Sequence, residues 1–159
     1  MSATRLALHP VLVRLLLGFA LALGLTVPHL VEAPSASAAV PTIVSLKAVH
    51  FAASRKGATY RIGAEGPRHF DCSGLTQWAY QHAGKHIPRT AQQQWAASIH
   101  LRSNRSRRPG DLVFFFSGSH VYHVAMYAGH GLIWHAAKPG SRVKRVKLWT
   151  SHVRYGRVR

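Results

Sequence analysis

The chain has 159 residues and carries 21 Lys and Arg, 12 His and only 4 Asp and Glu, a formal net charge of +17 with the histidines neutral. That length allows one domain. So few acids fit poorly with a glycosidase, which needs two carboxylates flanking the scissile bond. So strong a positive charge predicts adhesion to polyanions without naming one. Helix-turn-helix, ribonucleoprotein and zinc-finger patterns are absent, so no specific nucleic-acid partner is expected.

The N-terminus reads as a secretion signal. Arg5 and Arg14 supply positive charge, Leu15 to Leu25 is the apolar core, and Ala36-Ser37-Ala38 is a small-residue cleavage site. The apolar run is short for a membrane span, and Pro28 and Pro34 follow it. No cysteine precedes the cleavage site, so a lipoprotein is not expected. The expected organisation is a signal peptide at 1–39 and one domain at 40–159. That domain keeps three carboxylates, Glu65, Asp71 and Asp111, against nineteen Lys and Arg.

Helical spacing of Val44, Ala48, Phe51 and Ala52 predicts a helix from Ile43 to Arg55, ended by Lys56-Gly57. Residues 58–64 are β-like, and 65–69 form a loop. Leu75, Trp78 and Ala79 predict a helix from Cys72 to about Ala83, with Gly84 as its stop. After the break at Ile87-Pro88-Arg89, Thr90 can cap a short helix through Gln92 to Trp95. Residues 102–108 read as a basic surface loop. Arg108-Pro109-Gly110-Asp111 is a turn in which Asp111 is structural. Leu112 to Phe116 then suits a strand buried on both faces. Strands at 123–128 and 132–137 flank a hairpin turn at 129–131, and two more strands are expected at 143–148 and 153–159. Helices first and strands afterwards indicate an α+β domain.

The single cysteine, Cys72, stands out. A secreted chain normally pairs its cysteines, so a lone one is either buried filler or a working thiol. Asp71 is a good helix N-cap, which puts Cys72 in the first turn, where the helix dipole favours the thiolate. Those surroundings favour a nucleophile over a core residue.

A nucleophilic cysteine needs an imidazole as base and a third group to orient that ring. If 129–131 is the hairpin loop, Ala128 pairs with Leu132 and His135 falls opposite Ala125. His123 then lies diagonally on the same face. A two-residue loop would put the two rings on opposite faces, so the reading requires three. One ring can be the base and the other can set its tautomer; the alternative is two ordinary half-buried sheet histidines. His120, His130 and His152 are assigned to loops or surface. His120/His123 and His82/His86 could each be half of a metal site, but nothing completes a ligand set, and no metal or cofactor is expected.

The blocks Tyr60-Arg61-Ile62-Gly63, Asp71-Cys72-Ser73-Gly74-Leu75, Pro88-Arg89-Thr90, Pro109-Gly110-Asp111-Leu112-Val113-Phe114-Phe115, His123 to Gly129 and Ile133-Trp134-His135-Ala136 occur in the order and approximate spacing of the NlpC-type cell-wall cysteine peptidases, which the chain resembles from about Val49 onward. The resemblance implies a papain-like α+β core, with the nucleophile-bearing helix packed on an antiparallel sheet. It implies Cys72 as nucleophile, His123 as base and His135 as the orienting residue. It also implies Tyr60 near the oxyanion, and Asp71 and Ser73 as residues that help hold substrate.

The implied activity is that of a secreted, cell-wall or extracellular endopeptidase acting on peptidoglycan stem peptides, at the bond between D-glutamate and the diamino acid. An amidase or acyl transferase on the same scaffold, or a non-catalytic basic wall binder, are the alternatives. Anionic wall polymers are a further expected partner through the basic surface, and a monomer is the default. One departure is Ala64, where the family commonly has a second glycine after Gly63.

Overall fold

The structure, a computed structural model, describes residues 42–159. The expected signal segment, 1–39, lies outside the described residues. Three helices precede most of the sheet: α1 (Thr42–Ser54), α2 (Cys72–His82) and α3 (Ala91–Ala97). α1 buries the small residues Ala48 and Ala52, so its backbone can approach α2 closely. Phe51 meets Trp78 edge-on at 6.1 Å between ring centroids.

The strands are β1 (Thr59–Tyr60), β2 (His69–Phe70), β3 (Ile99–His100), β4 (Leu112–Ser117), β5 (His120–Gly129), β6 (Leu132–His135), β7 (Lys144–Lys147) and β8 (Val153–Arg157). β1 and β2 form a small parallel pair, and the other six form a sheet in the order β3-β8-β4-β5-β6-β7. Every neighbouring pair in that sheet is antiparallel. The α+β architecture read from the sequence is the one observed.

β4 is buried on both faces because it is central, paired with β5 on one side and β8 on the other. Its even-numbered residues Leu112 and Phe114 pack under the helices with Val124 and Met126. Its odd-numbered residues Val113 and Phe115 pack on the outer face with Ala125, Tyr127, Ile133, Val153 and Tyr155. Asp111 is structural, as expected. Its carboxylate accepts from Arg157 Nε and Nη2 at 2.8 Å each and from the Arg108 N–H at 2.7 Å. The Tyr80 hydroxyl donates to the Gly110 carbonyl at 2.7 Å, joining α2 to the same turn.

The β5–β6 hairpin corrects one expectation and preserves its consequence. The loop is two residues long, His130-Gly131, since Gly129 pairs with Leu132. Both loop residues have positive φ, 52° and 73°, which a tight primed hairpin turn requires. A bulge at Ala128 adds one residue back, so that Tyr127 faces Ile133 and Met126 faces Trp134. Continuing that register sets His135 opposite Ala125, so His123 and His135 share a face after all.

Other differences are local. The β-like stretch at 58–64 contributes only Thr59 and Tyr60, because Gly63 turns the chain with φ 73°. His120 is the first residue of β5 and not part of a loop, although its side chain is exposed. β6 stops at His135, two residues early. β3 was not anticipated, since two residues carry no periodic signal; it forms by pairing with β8.

Candidate active site

The site is built around the start of α2. Asp71 is the N-cap, with extended backbone, and its carboxylate accepts from the Gly74 N–H at 2.6 Å. Cys72 is therefore the first helical residue and half-buried. At the far end, Gly84 takes φ 90° while its N–H bonds Gln81 O and Lys85 N–H bonds Tyr80 O. That double bond is the left-handed stop that the sequence suggested.

The loop before the helix is fitted against its first turn. The Asp71 N–H donates to Ala64 O at 2.9 Å, and the Gly63 N–H donates to the Asp71 carboxylate at 2.9 Å. A Cβ on Gly74 would lie 2.2 Å from Ala64 O, so the glycine is what allows this contact. Ala64 itself is not among the positive-φ residues, and alanine at that position carries no backbone strain.

Arg89 completes the arrangement, and sequence reasoning gave it no role. Its guanidinium grips Asp71 at 2.6 and 3.0 Å, donates to Ser73 Oγ at 3.0 Å and bonds Glu65 at 2.7 Å. The available signal was the scarcity of acids: a capping carboxylate in so basic a chain almost has to meet a cation. Gln94, buried in α3, was also missed. It donates to Ser73 O at 3.0 Å and Pro88 O at 2.8 Å, and accepts from Thr76 Oγ1 at 2.8 Å. These bonds tie the Cys72 helix to the Arg89 segment.

The backbone N–H of Val124 in β5 acts to lower the Cys72 thiol, favouring its anion. His123, the neighbour of Val124, is buried, and its Nε2 lies 3.3 Å from Nδ1 of the equally buried His135. The residues singled out in the sequence thus fall in two groups, Tyr60, Asp71, Cys72 and Ser73 around the start of α2 and the His123–His135 pair on the sheet, with Val124 adjoining both. The Ser73 hydroxyl donates to Asp71 at 3.3 Å, and Tyr60 feels the charges of Cys72 and Asp71. His82 belongs to the packing instead: its ring lies 3.9 Å from that of Trp78, and its Nδ1 is 2.9 Å from Trp78 O. Among the described residues, no group of three or more His, Cys, Asp and Glu could hold a metal ion.

The electrostatics correct the expected thiolate. Burial pushes the Cys72 thiol up, Asp71 pushes it further, and the hydrogen bonds from Val124 and Ser73 offset this only in part. Burial, together with the neighbouring ring, brings His123 down to about 4. Burial and the Lys144 ammonium do the same to His135, also to about 4. The resting proton therefore sits on sulfur, and both rings are neutral near pH 7. For Nδ1 of His135 to accept from His123, the His123 proton must be on Nε2, which leaves Nδ1 of His123 as its basic lone pair. Burial, Cys72 and Asp71 raise the Tyr60 phenol, which keeps it a hydrogen-bond donor.

The sequence profile of the NlpC/P60 family matches residues 57–157. A probable endopeptidase of Corynebacterium glutamicum is 43% identical over 106 residues, covering 67% of this chain and 49% of that one. The bifunctional muramidase/DL-endopeptidase CwlT of Bacillus subtilis is 37% identical over 111 residues, covering 65% and 33%. The chain thus spans half or less of these relatives' length. Among solved structures, the NlpC/p60 domain of the peptidoglycan hydrolase SagA superposes with a TM-score of 0.65 at 31% identity, covering 72% of this chain and 98% of that domain. NlpC1 from Trichomonas vaginalis gives 0.67 at 30% identity, covering 75% and 45%.

Proposed function

Because the chain belongs to the NlpC/P60 family, we propose that it is a secreted cysteine endopeptidase that hydrolyses the stem peptides of peptidoglycan, at the D-γ-glutamyl–diamino acid bond. The observation that carries this reading is the buried imidazole pair, 3.3 Å apart, together with a half-buried cysteine at a helix start whose thiol is influenced by Val124, the residue next to His123. The names of the relatives as endopeptidases and peptidoglycan hydrolases support the substrate class.

In this mechanism Cys72 and His123 begin as a neutral pair. As the sulfur attacks the amide carbon, its proton passes to Nδ1 of His123, and the imidazolium then protonates the leaving amine. The resulting thioester is hydrolysed by a water that His123 deprotonates. His135 holds the His123 tautomer and so acts as a positioning residue. In this reading the Cys72 N–H at the helix start and the Tyr60 hydroxyl donate to the oxyanion. Arg89 neutralises Asp71, whose unscreened charge would raise the thiol still further. Secretion to the cell wall follows from the signal-like N-terminus, and the protein acts as a monomer.

The test is digestion of purified peptidoglycan by wild-type protein and by Cys72→Ala, with mass spectrometry of the fragments. Cleavage between D-glutamate and the diamino acid, lost in the variant, is expected. Release of intact stems from the glycan would make it an amidase, and unchanged cleavage by Cys72→Ala would remove Cys72 as nucleophile.

A further inference from the structure

The outer face of the sheet, away from the three helices, holds an open cleft of about 430 Å³ between the Asn104–Arg107 turn and the segment that joins β7 to β8. Its lining includes Asn104, Arg107, Lys147, Trp149, Thr150 and Tyr155. Pockets of this size hold small organic ligands or a segment of a polymer.

The charge of the cleft is uncompensated. All three carboxylates among the described side chains are spent on two other cations: Glu65 and Asp71 on Arg89, and Asp111 on Arg157. Arg107 is instead held between aromatic rings, 5.2 Å above Tyr127 and 5.5 Å above Tyr155, and its Nε is buried with no acceptor. Lys147 is exposed. One held cation and one exposed cation, neither paired with a carboxylate, attract a negatively charged ligand.

Trp149 adds shape. Its indole stacks on Phe115 with ring centroids 5.0 Å apart and planes 17° apart, yet the residue is 57% exposed. An exposed indole held rigid from beneath offers a flat apolar plate. Asn104 and Thr150 add an amide and a hydroxyl group to the lining. A plate, a rim of hydroxyl and amide groups, and two cations match a sugar or polyol that bears acidic groups. A single plate suits one ring; single-stranded nucleic acid would use a succession of stacking side chains along a groove.

We propose that this cleft is a binding site for an acidic carbohydrate, a polyol phosphate or a uronic-acid glycan; it adjoins the histidine pair, since the Trp149 ring also lies 5.3 Å from that of His135, but neither histidine nor Cys72 lines it. It does not rest on the peptidase reading, and it is tested without turnover. The full chain carrying Cys72→Ala is titrated calorimetrically at matched ionic strength with poly(glycerol phosphate), polygalacturonate, neutral dextran and oligo(dT). The same titrations are run after adding Lys147→Gln with Trp149→Ala, or Lys47→Gln with Lys56→Gln. The second pair removes exposed cations on and just after α1, one more than the first pair removes.

Binding of one acidic carbohydrate, weakened about tenfold or more by the cleft pair and little by the α1 pair, is expected. Which of the two acidic polymers binds then assigns phosphate or carboxylate. Equal losses in the two pairs would mean diffuse charge and overturn the site. So would binding of neither acidic polymer, or oligo(dT) binding tighter than both. Thermal unfolding of each variant identifies loss of fold. If it affects the double variant, Lys147→Gln alone, which alters only an exposed side chain, decides the matter by the same criteria. Peptide release by the wild-type chain is read separately, so failure of the cleft leaves the endopeptidase assignment intact.

Discussion

Replacing Arg89 by methionine keeps the stem of the side chain and removes its charge. Asp71 then remains as a nearly buried carboxylate, its side chain 12% exposed, held only by the N–H groups of Gly63 and Gly74 and by the Ser73 hydroxyl. Removing one partner of a fully buried ion pair costs about 3–5 kcal/mol, and an exposed pair is worth under about 1 kcal/mol. Arg89 is 26% exposed at its side chain, between these limits. The expected loss is about 2–3 kcal/mol, with Glu65, 59% exposed, adding little. For a urea m-value of about 1–2 kcal/mol/M the unfolding midpoint falls by about 1–3 M. In an Arg89→Met background, Asp71→Asn costs much less than it does alone, because the stranded charge has gone. Additive losses, or a midpoint shift under about 0.3 M at unchanged m-value, would show the pair to be solvent-screened and refute the account of the capped helix.

Gly74→Ala drives a methyl group to 2.2 Å from Ala64 O, a backbone atom, so the 63–66 loop has to move away; a large drop in turnover with α2 retained by circular dichroism is expected. The pH dependence of stability follows from the two histidines, which are held near 4 when folded against 6.5 when free. Because the unfolded chain binds more protons in that window, stability is fully present above pH 6.5 and falls as the pH drops towards 4. His123 accounts for up to about 3 kcal/mol of that fall and His135 for less; urea midpoints that stay level across the window would contradict it. Iodoacetamide modification of the resting enzyme is slow at neutral pH and rises with a midpoint above that of a free cysteine, since burial holds the proton on sulfur; rapid labelling at pH 6 would indicate an ion pair instead. His135→Ala is expected to leave reduced but measurable peptide release, the outcome that the proposed orienting role requires; complete loss would contradict that role.

Much of this protein was legible from local chemistry. Asp71 before Cys72, Gly84 after the helix, Thr90 with Gln93, and the apolar run at Leu112 each act within a few residues of themselves, so their signals survive in one dimension. Thr90 and Gln93 form the reciprocal cap that their spacing permits. The lone cysteine was likewise visible by counting. Bulges escape such reading: Ala128 looks like any strand residue, and the two-residue turn became apparent only with the register of β5 and β6. The pairing of β3 with β8 joins segments about sixty residues apart and leaves no local trace.

By itself, the amino-acid order determined the main helices and strands, the α+β class and the candidate reactive groups, because caps, periodicity and residue chemistry are short-range properties. The protonation state was decided in three dimensions. A helix start alone argues for a thiolate, but desolvation depends on what packs over the group, and here burial raises the Cys72 thiol and lowers His123 and His135. Folding alone also decided which cation meets Asp71: many lysines and arginines were available, and only chain topology brings Arg89 to it.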